Sequence, residues 1–359
     1  MEEKNVNEEV KEEIVEPNEE NKEIEENNNE HLNRKPIEEV EVYDAVDVNS
    51  PEEVIEKVNV LKDGFKDLNT NTRKNTKIIL GVLLCLTGGV LLLSIFDSRI
   101  VYASFFVIVL YFFVVIFYSK QSRKKVDYEL SRYLIEYSKL VNSYIYGKNF
   151  MIKNIKLSFK TKLQIDELSK FDMYKDVVAV NARNYAVGKM IGVDFYSTDG
   201  LFRVRDELDP KKNKVATVGK MYKFNLATKE KGKTMIYISN KGEAIPTSIE
   251  GLEKKQIEGL NSNIQVNSNR EDLSVLFNKN VIKMLNEFEI NDYLEDVIIN
   301  LNDSHVYLVL SYSDSIMLPP YNEDYTLEKL EQLRKDVEAI VAFMSTLVNH
   351  QEMKQISNR

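Results

Sequence analysis

Residues 73–125 read RKNTKIILGVLLCLTGGVLLLSIFDSRIVYASFFVIVLYFFVVIFYSKQSRKK, and they carry 19 uncharged residues from Ile78 to Phe96 and 19 more from Ile100 to Tyr118. At about 1.5 Å per helical residue, each run crosses most of a hydrocarbon layer about 30 Å thick. A core helix of a soluble domain keeps a polar face, and neither run has one. The stretch is therefore read as two membrane spans, 78–96 and 100–118, within a transmembrane hairpin at 73–125. Asp97, Ser98 and Arg99 alone join them, so the hairpin is tight and antiparallel.

Charge then orients it. Arg73, Lys74 and Lys77 precede the first span, and Lys120, Arg123, Lys124 and Lys125 follow the second, whereas the link holds one acid and one base. The positive-inside bias puts both flanks, and with them both termini and everything soluble, in the cytoplasm of a multi-pass plasma-membrane protein. The polar chain ahead of Arg73 places the first span too far along for a secretory signal. Gly81, Gly88 and Gly89 fall on nearly one face of the first span and suit close approach of the second. Cys85, the only cysteine, is a small apolar filler within that span, which leaves no disulfide framework or thiolate metal site.

Residues 1–50 hold 18 acidic and 5 basic side chains, so the chain's net charge of −9 resides in this tail. Such a segment buries too little apolar surface to offset the entropy of ordering, and its composition predicts a disordered acidic tail. Residues 51–72 then read as an amphipathic juxtamembrane helix: Pro51 suits a first turn, Glu52 and Glu53 follow, and Val54, Ile55, Val58, Leu61, Phe65 and Leu68 recur at helical spacing. It lies either on the membrane or against the soluble domain.

Beyond the hairpin, Val126, Leu130, Tyr133, Tyr137, Leu140 and Tyr144 form a heptad-like seam, too short to decide between a coiled coil and packing within the chain. KDVVAV, MIGVDFY, LFRVRD, ATVGKMYKFNLAT and KTMIYIS read as strands, with Asp199-Gly200 and Asn240-Lys241-Gly242 as turns. REDLSVLFNKNVIKMLNEF (270–288) reads as one or two helical segments, with Leu273, Leu276, Phe277, Ile282, Leu285 and Phe288 inward. VIINL and VYLVLS flank Asn302-Asp303-Ser304-His305 as a hairpin. A last helix over 326–348 begins at Thr326 and carries a second seam at Leu330, Leu333, Val337, Ile340, Met344 and Leu347. The fold class is α+β: a cytoplasmic domain over 126–350 whose mostly antiparallel sheet is covered by helices.

No residue set amounts to a catalytic, cofactor or metal signature. Lys231-Gly232-Lys233-Thr234 resembles the end of a phosphate-binding loop, but Ala227 stands where the earlier glycine is needed and a strand follows. His31, His305 and His350 have no HExxH or cysteine pair beside them, and no GxSxG accompanies them. Asp206, Glu207 and Asp209 lie with Lys211, Lys212 and Lys214 in a run broken by Pro210, which reads as a solvated loop. The lysines lack interleaved aromatics, so no nucleic-acid partner is expected.

The order of parts, together with VGKMYKFNLATKEKGKTMIYIS (218–239), NSNREDLSVLFNKNVIKMLNEF (267–288) and VIINLNDSHVYLVLS (297–311), resembles the DUF3137 family of bacterial membrane proteins. Phenylalanines of that family's pattern are displaced here, at Leu273 and at Ile316-Met317. The resemblance implies a fold and a membrane setting and brings no activity, cofactor or site residue. The expected function is a membrane-anchored protein-binding or scaffold domain, its partners being the lipid bilayer and a protein or second copy docked on helices 126–144 and 330–347. The alternative is a ligand sensor or small enzyme with a polar cleft at Asp194, Arg203, Arg205 and Asp206. Whether the chain is an enzyme stays open at this point.

Overall fold

Pro51 starts a helix that does not stop at the membrane face. In the computed structural model, α1 runs unbroken over Pro51–Phe96, 46 residues, and α2 over Ile100–Gly147, 48 residues. The structure describes residues 42–48, 50–96, 100–160, 177–205, 213–228, 231–240, 251–274, 276–313, 319–349 and 353–355. The expected disordered tail falls almost wholly outside these residues, as does the link at 97–99.

The juxtamembrane helix and the first span are thus one element, and so are the second span and the seam that follows it. Nothing between Leu68 and Lys77 breaks a helix, since there is neither proline nor glycine there. The two helices lie antiparallel, joined at the membrane edge by a hydrogen bond from Thr76 Oγ1 to Ser122 Oγ at 3.1 Å. Large apolar side chains stand exposed along both spans, among them Leu92, Phe106, Phe113 and Phe117. Almost none of either apolar window is buried. A contiguous apolar surface of this extent is stable only in lipid, so the pair is a membrane-associated helical hairpin.

Away from the membrane, both helices enter the core of the soluble domain. Val54, Val58 and Lys62 of α1 are buried at four-residue spacing. Asn59 clamps the backbone of Tyr325 in both directions, and Lys62 is paired with Asp324. Of the two positions open to 51–72, it takes the one against the domain.

The sheet is built from β1 (Tyr43–Asp44), β2 (Ile152–Lys160), β3 (Val177–Met190), β4 (Val193–Arg205), β5 (Asn213–Phe224), β7 (Thr234–Ser239), β8 (Glu253–Lys255), β9 (Ile264–Ser268), β10 (Leu294–Leu301) and β11 (Val306–Tyr312). Their spatial order is β1-β2-β3-β4-β5-β11-β10-β7-β9-β8, with every pair antiparallel. β6 (Leu226–Thr228) and β12 (Met353–Gln355) pair separately. Helices α3 (Lys279–Asn286) and α4 (Leu327–Val348) join α2 and the start of α1 in one apolar core against the sheet. Phe195, Tyr222, Phe224, Leu308, Leu310, Val297, Ile299, Ile236 and Ile238 supply its strand side at the two-residue spacing of one sheet face. The helix-covered antiparallel domain is as expected, including the Thr326 cap, whose hydroxyl accepts from Lys329 N–H, and the β10–β11 hairpin closed by Asn302 N–H to His305 O.

Several local readings are corrected. Residues 42–48 are not tail: β1 pairs with β2, Val48 is buried, and Val46 N–H donates to Ser143 Oγ at 2.9 Å. Strands β2, β8 and β9 form although their sequences are too polar to announce themselves. Asp199-Gly200 is no turn but lies inside β4, because ladders to β3 and β5 hold both its edges. The reversal occurs instead within MIGVDFY, at Ile191 (φ 54°) and Gly192 (φ 79°), a two-residue hairpin loop with both residues left-handed. Isoleucine resists that conformation, and Ile191 N–H to Met151 O at 2.9 Å helps hold it. Asn240 does end β7 in a bend; Lys241 and Gly242 lie outside the described residues.

Both seams proposed as partner surfaces are also corrected. Tyr133, Tyr137, Leu140 and Tyr144, and all of Leu330, Leu333, Val337, Ile340, Met344 and Leu347, are buried in the chain's own core. Each helix spends its apolar stripe on the sheet and on the other, with Tyr144 donating to Glu331 across them at 2.7 Å. Apart from the half-buried Val126 and Leu130 at the membrane end of the first, the stripes are used within the chain.

Candidate functional site

Charged residues converge at one place in the core, between α2 and the sheet. Asp199 of β4 and Lys220 of β5 are directly opposite in register on the helix-covered face, and Lys220 Nζ lies 2.7 Å from Asp199 Oδ1. Lys220 is 2% exposed and Asp199 7%, so water does little to solvate either. The other carboxylate oxygen accepts from Asn184 Nδ2. Asn184 reaches it because a bulge in β3 between Arg183 and Ala186 gives this residue φ 57° and re-aims its side chain.

From α2, Asn142 Oδ1 stands 3.5 Å from Lys220 Nζ, and the Tyr146 ring centroid 5.7 Å from it. Burial alone would lower the lysine's pKa; the Asp199 carboxylate and then Tyr146 outweigh it, so the ammonium is held firmly charged. Tyr146 hydroxyl shares a hydrogen bond with Ser197 at 2.7 Å and lies 3.2 Å from the Tyr222 hydroxyl. Burial, and then its tyrosine neighbours, push the Tyr222 phenol well above its ordinary range.

Asp336 of α4 is the second buried acid. Burial drives its carboxyl up to about 7, against hydrogen bonds from Tyr312 and Gln332 that favour the charged form. Gln332 Nε2 donates to Asp336 Oδ1 at 2.8 Å. Tyr312 is raised by its own burial and then by Asp336, with the Asp199 carboxylate adding to it. Asp336, Tyr312, Tyr146, Lys220 and Asp199 thus form an electrostatically linked set that ties α4, α2 and three strands together.

The arrangement can fix geometry but has no room for a substrate. Tyr137, Ser138, Asn142, Asn184, Asp199 and Lys220 line a cavity of about 10 Å³. That is space for roughly one water molecule. A buried pair of this kind contributes little net stability yet punishes loss of either partner.

The residues proposed for an enzymatic cleft are not gathered. Asp194 sits on the opposite sheet face in an open groove of about 320 Å³ with Lys156, Lys189, Lys223 and Tyr196, its carboxylate 3.6 Å from Lys189. Arg203 lies nine strand positions further along β4, about 30 Å away at the usual rise. Arg205 ends the strand, and Asp206, Glu207, Asp209, Lys211 and Lys212 lie outside the described residues. Among the described residues of this groove Asp194 meets lysines rather than a second carboxylate.

Lys231-Gly232-Lys233-Thr234 leads directly into β7, as expected, with Gly232 N–H bound by Asp303 Oδ1 and Gly232 O by Arg270. His305 is in the β10–β11 loop, its Nδ1 2.6 Å from Ser304 Oγ; His31 and His350 are outside the described residues. Among the described residues no three metal-ligating side chains come together.

Reading the sequence missed Asp199, Lys220, Asn184 and Asp336 as a group. The available signal was a charge at an inward-facing position of a mainly apolar run, Asp199 in STDGLF, Lys220 in VGKMY and Asp336 on the inner face of the last helix. No family model, curated protein or solved structure matches the chain.

Proposed function

We propose that this chain is a multi-pass plasma-membrane protein, with its acidic tail and its α+β domain both in the cytoplasm, and that the domain works as a binding or scaffold module. The observation that carries this reading is the continuity of α1 and α2 from the lipid into the domain core. The domain is not tethered by a linker but held on two helices, as suits a part that presents a surface at a set height and orientation. The positive flanks of the spans supply the sidedness, and kinship with the DUF3137 family is part of the same proposal. Because both seams are buried, a protein partner docks on the outer faces of the domain.

Affinity capture of the full chain from mildly solubilised native membranes tests the role, with cysteine labelling at Ser98 in a Cys85→Ser background testing sidedness. A reproducible protein partner, and labelling only from outside the cell, are expected. A chain that copurifies only with a small molecule speaks for a membrane-associated sensor or small enzyme.

A further inference from the structure

The sheet does not end where its helical cover ends. β2 last pairs with β3 at Lys160–Arg183, and β11 last pairs with β5 at Ser311–Gly219. Beyond those points 177–182, 201–205 and 213–218 pair only with one another among the described residues, as a three-stranded tongue.

Contacts along α2 give the tongue's direction. Phe195 meets the Tyr146 ring at 6.2 Å and Ser197 bonds its hydroxyl, while Asp199 shares one cavity with Tyr137 and Ser138. Four strand residues and nine helix residues both span about 13 Å, so β4 runs alongside α2 in the opposite sense, toward the membrane. From Asp199 to Arg205 is a further 20 Å or so of strand, against about 28 Å of helix from Tyr137 to the end of the span at Tyr118. The strand end at residue 205 therefore comes level with Lys124 and Lys125 along α2, about 9 Å from the hydrocarbon edge.

The tongue carries Arg203, Arg205 and Lys214 and no acid, while the loop 206–212 that joins β4 to β5 holds three acids and two bases. Beside it the polar stalk, 66–77 and 119–132, has a net charge of +6. Arg203 is exposed. We infer that the tongue is a second membrane contact, docking through these three basic residues on anionic lipid headgroups and bracing the domain against the bilayer beside its stalk. This rests on the spanning reading of the hairpin, though not on its sidedness.

With the joining loop included, 201–218 carries five bases and three acids, a net charge of +2, worth about thirtyfold in a docked–undocked equilibrium at an anionic surface. The test uses the full chain, Cys85→Ser, in vesicles of phosphatidylcholine with or without phosphatidylglycerol and a trace of lipid carrying a headgroup nitroxide. Single fluorophores are placed by Asn213→Cys at the tongue, Gln121→Cys at the stalk and Phe150→Cys at the far end. Expected are strong quenching at 121 in both lipids, none at 150, and quenching at 213 that is strong with phosphatidylglycerol and lost in high salt or in R203E/R205E/K214E. Quenching at 121 but not at 213 in the anionic vesicles overturns the docking alone. Quenching at 213 that ignores lipid charge, salt and the triple substitution overturns its electrostatic basis. No quenching at 121 overturns the membrane reading and the docking with it.

Discussion

Replacing Asp336 by asparagine should make the protein more stable at neutral and alkaline pH. Burial raises this carboxyl from its ordinary 3.8 to about 7. Between those values the unfolded chain has released the proton and the folded chain still holds it, so stability falls as pH rises through the window and levels off above 7. At about 1.4 kcal/mol per pKa unit, the group lowers stability at pH 8 by about 4 kcal/mol relative to pH 4. Asparagine fits the same space without titrating, and an imperfect hydrogen bond to Gln332 or Tyr312 costs about 1 kcal/mol. Asp336→Asn should therefore gain about 3 kcal/mol at pH 8 and lose its advantage toward pH 5. Denaturant unfolding of the full chain in detergent micelles at pH 5 to 8, followed by near-ultraviolet circular dichroism, measures the difference. The chain suits the assay, with 19 tyrosines, no tryptophan and only 3 histidines to titrate in the same range. A variant less stable than wild type at pH 8, or a difference that does not change with pH, would refute a buried neutral acid at this position.

Lys220→Met and Asp199→Leu should each cost about 3–5 kcal/mol by stranding the other charge, and the double variant should recover most of that loss; simple additivity in the same unfolding assay would show that the two do not act as a pair. Gly219→Ala should destabilise by about 1–3 kcal/mol, since its new methyl group would sit 2.6 Å from the Leu310 carbonyl oxygen, a backbone atom that cannot swing aside. Phe106→Arg, at an exposed position near the middle of the second span, should cost about 2.5–3.5 kcal/mol of insertion and move protein from the membrane to the aggregated or degraded fraction on cell fractionation; unchanged membrane yield would argue against lipid at that face.

The amino-acid sequence by itself determined the membrane hairpin, because an uncharged run of nineteen residues has a single comfortable solvent and its flanking charges are local facts. It determined the apolar strands and the last helix for a similar reason: VYLVLS and the stripe from Leu330 to Leu347 carry their burial in their own spacing. Only the tertiary structure decided what those stripes face, since Tyr137 and Ile340 look the same whether a sheet or a second chain covers them. It also decided the fate of Asp199-Gly200, whose turn preference yields to ladders on both edges of β4, and it recruited polar segments such as 153–160 and 253–255 into the sheet by pairing alone. The Lys220–Asp199 pair was beyond reach of any local rule. Its members are 21 positions apart and met by Asn142 from another element, and a charge in a strand becomes a site only when the fold removes the water around it.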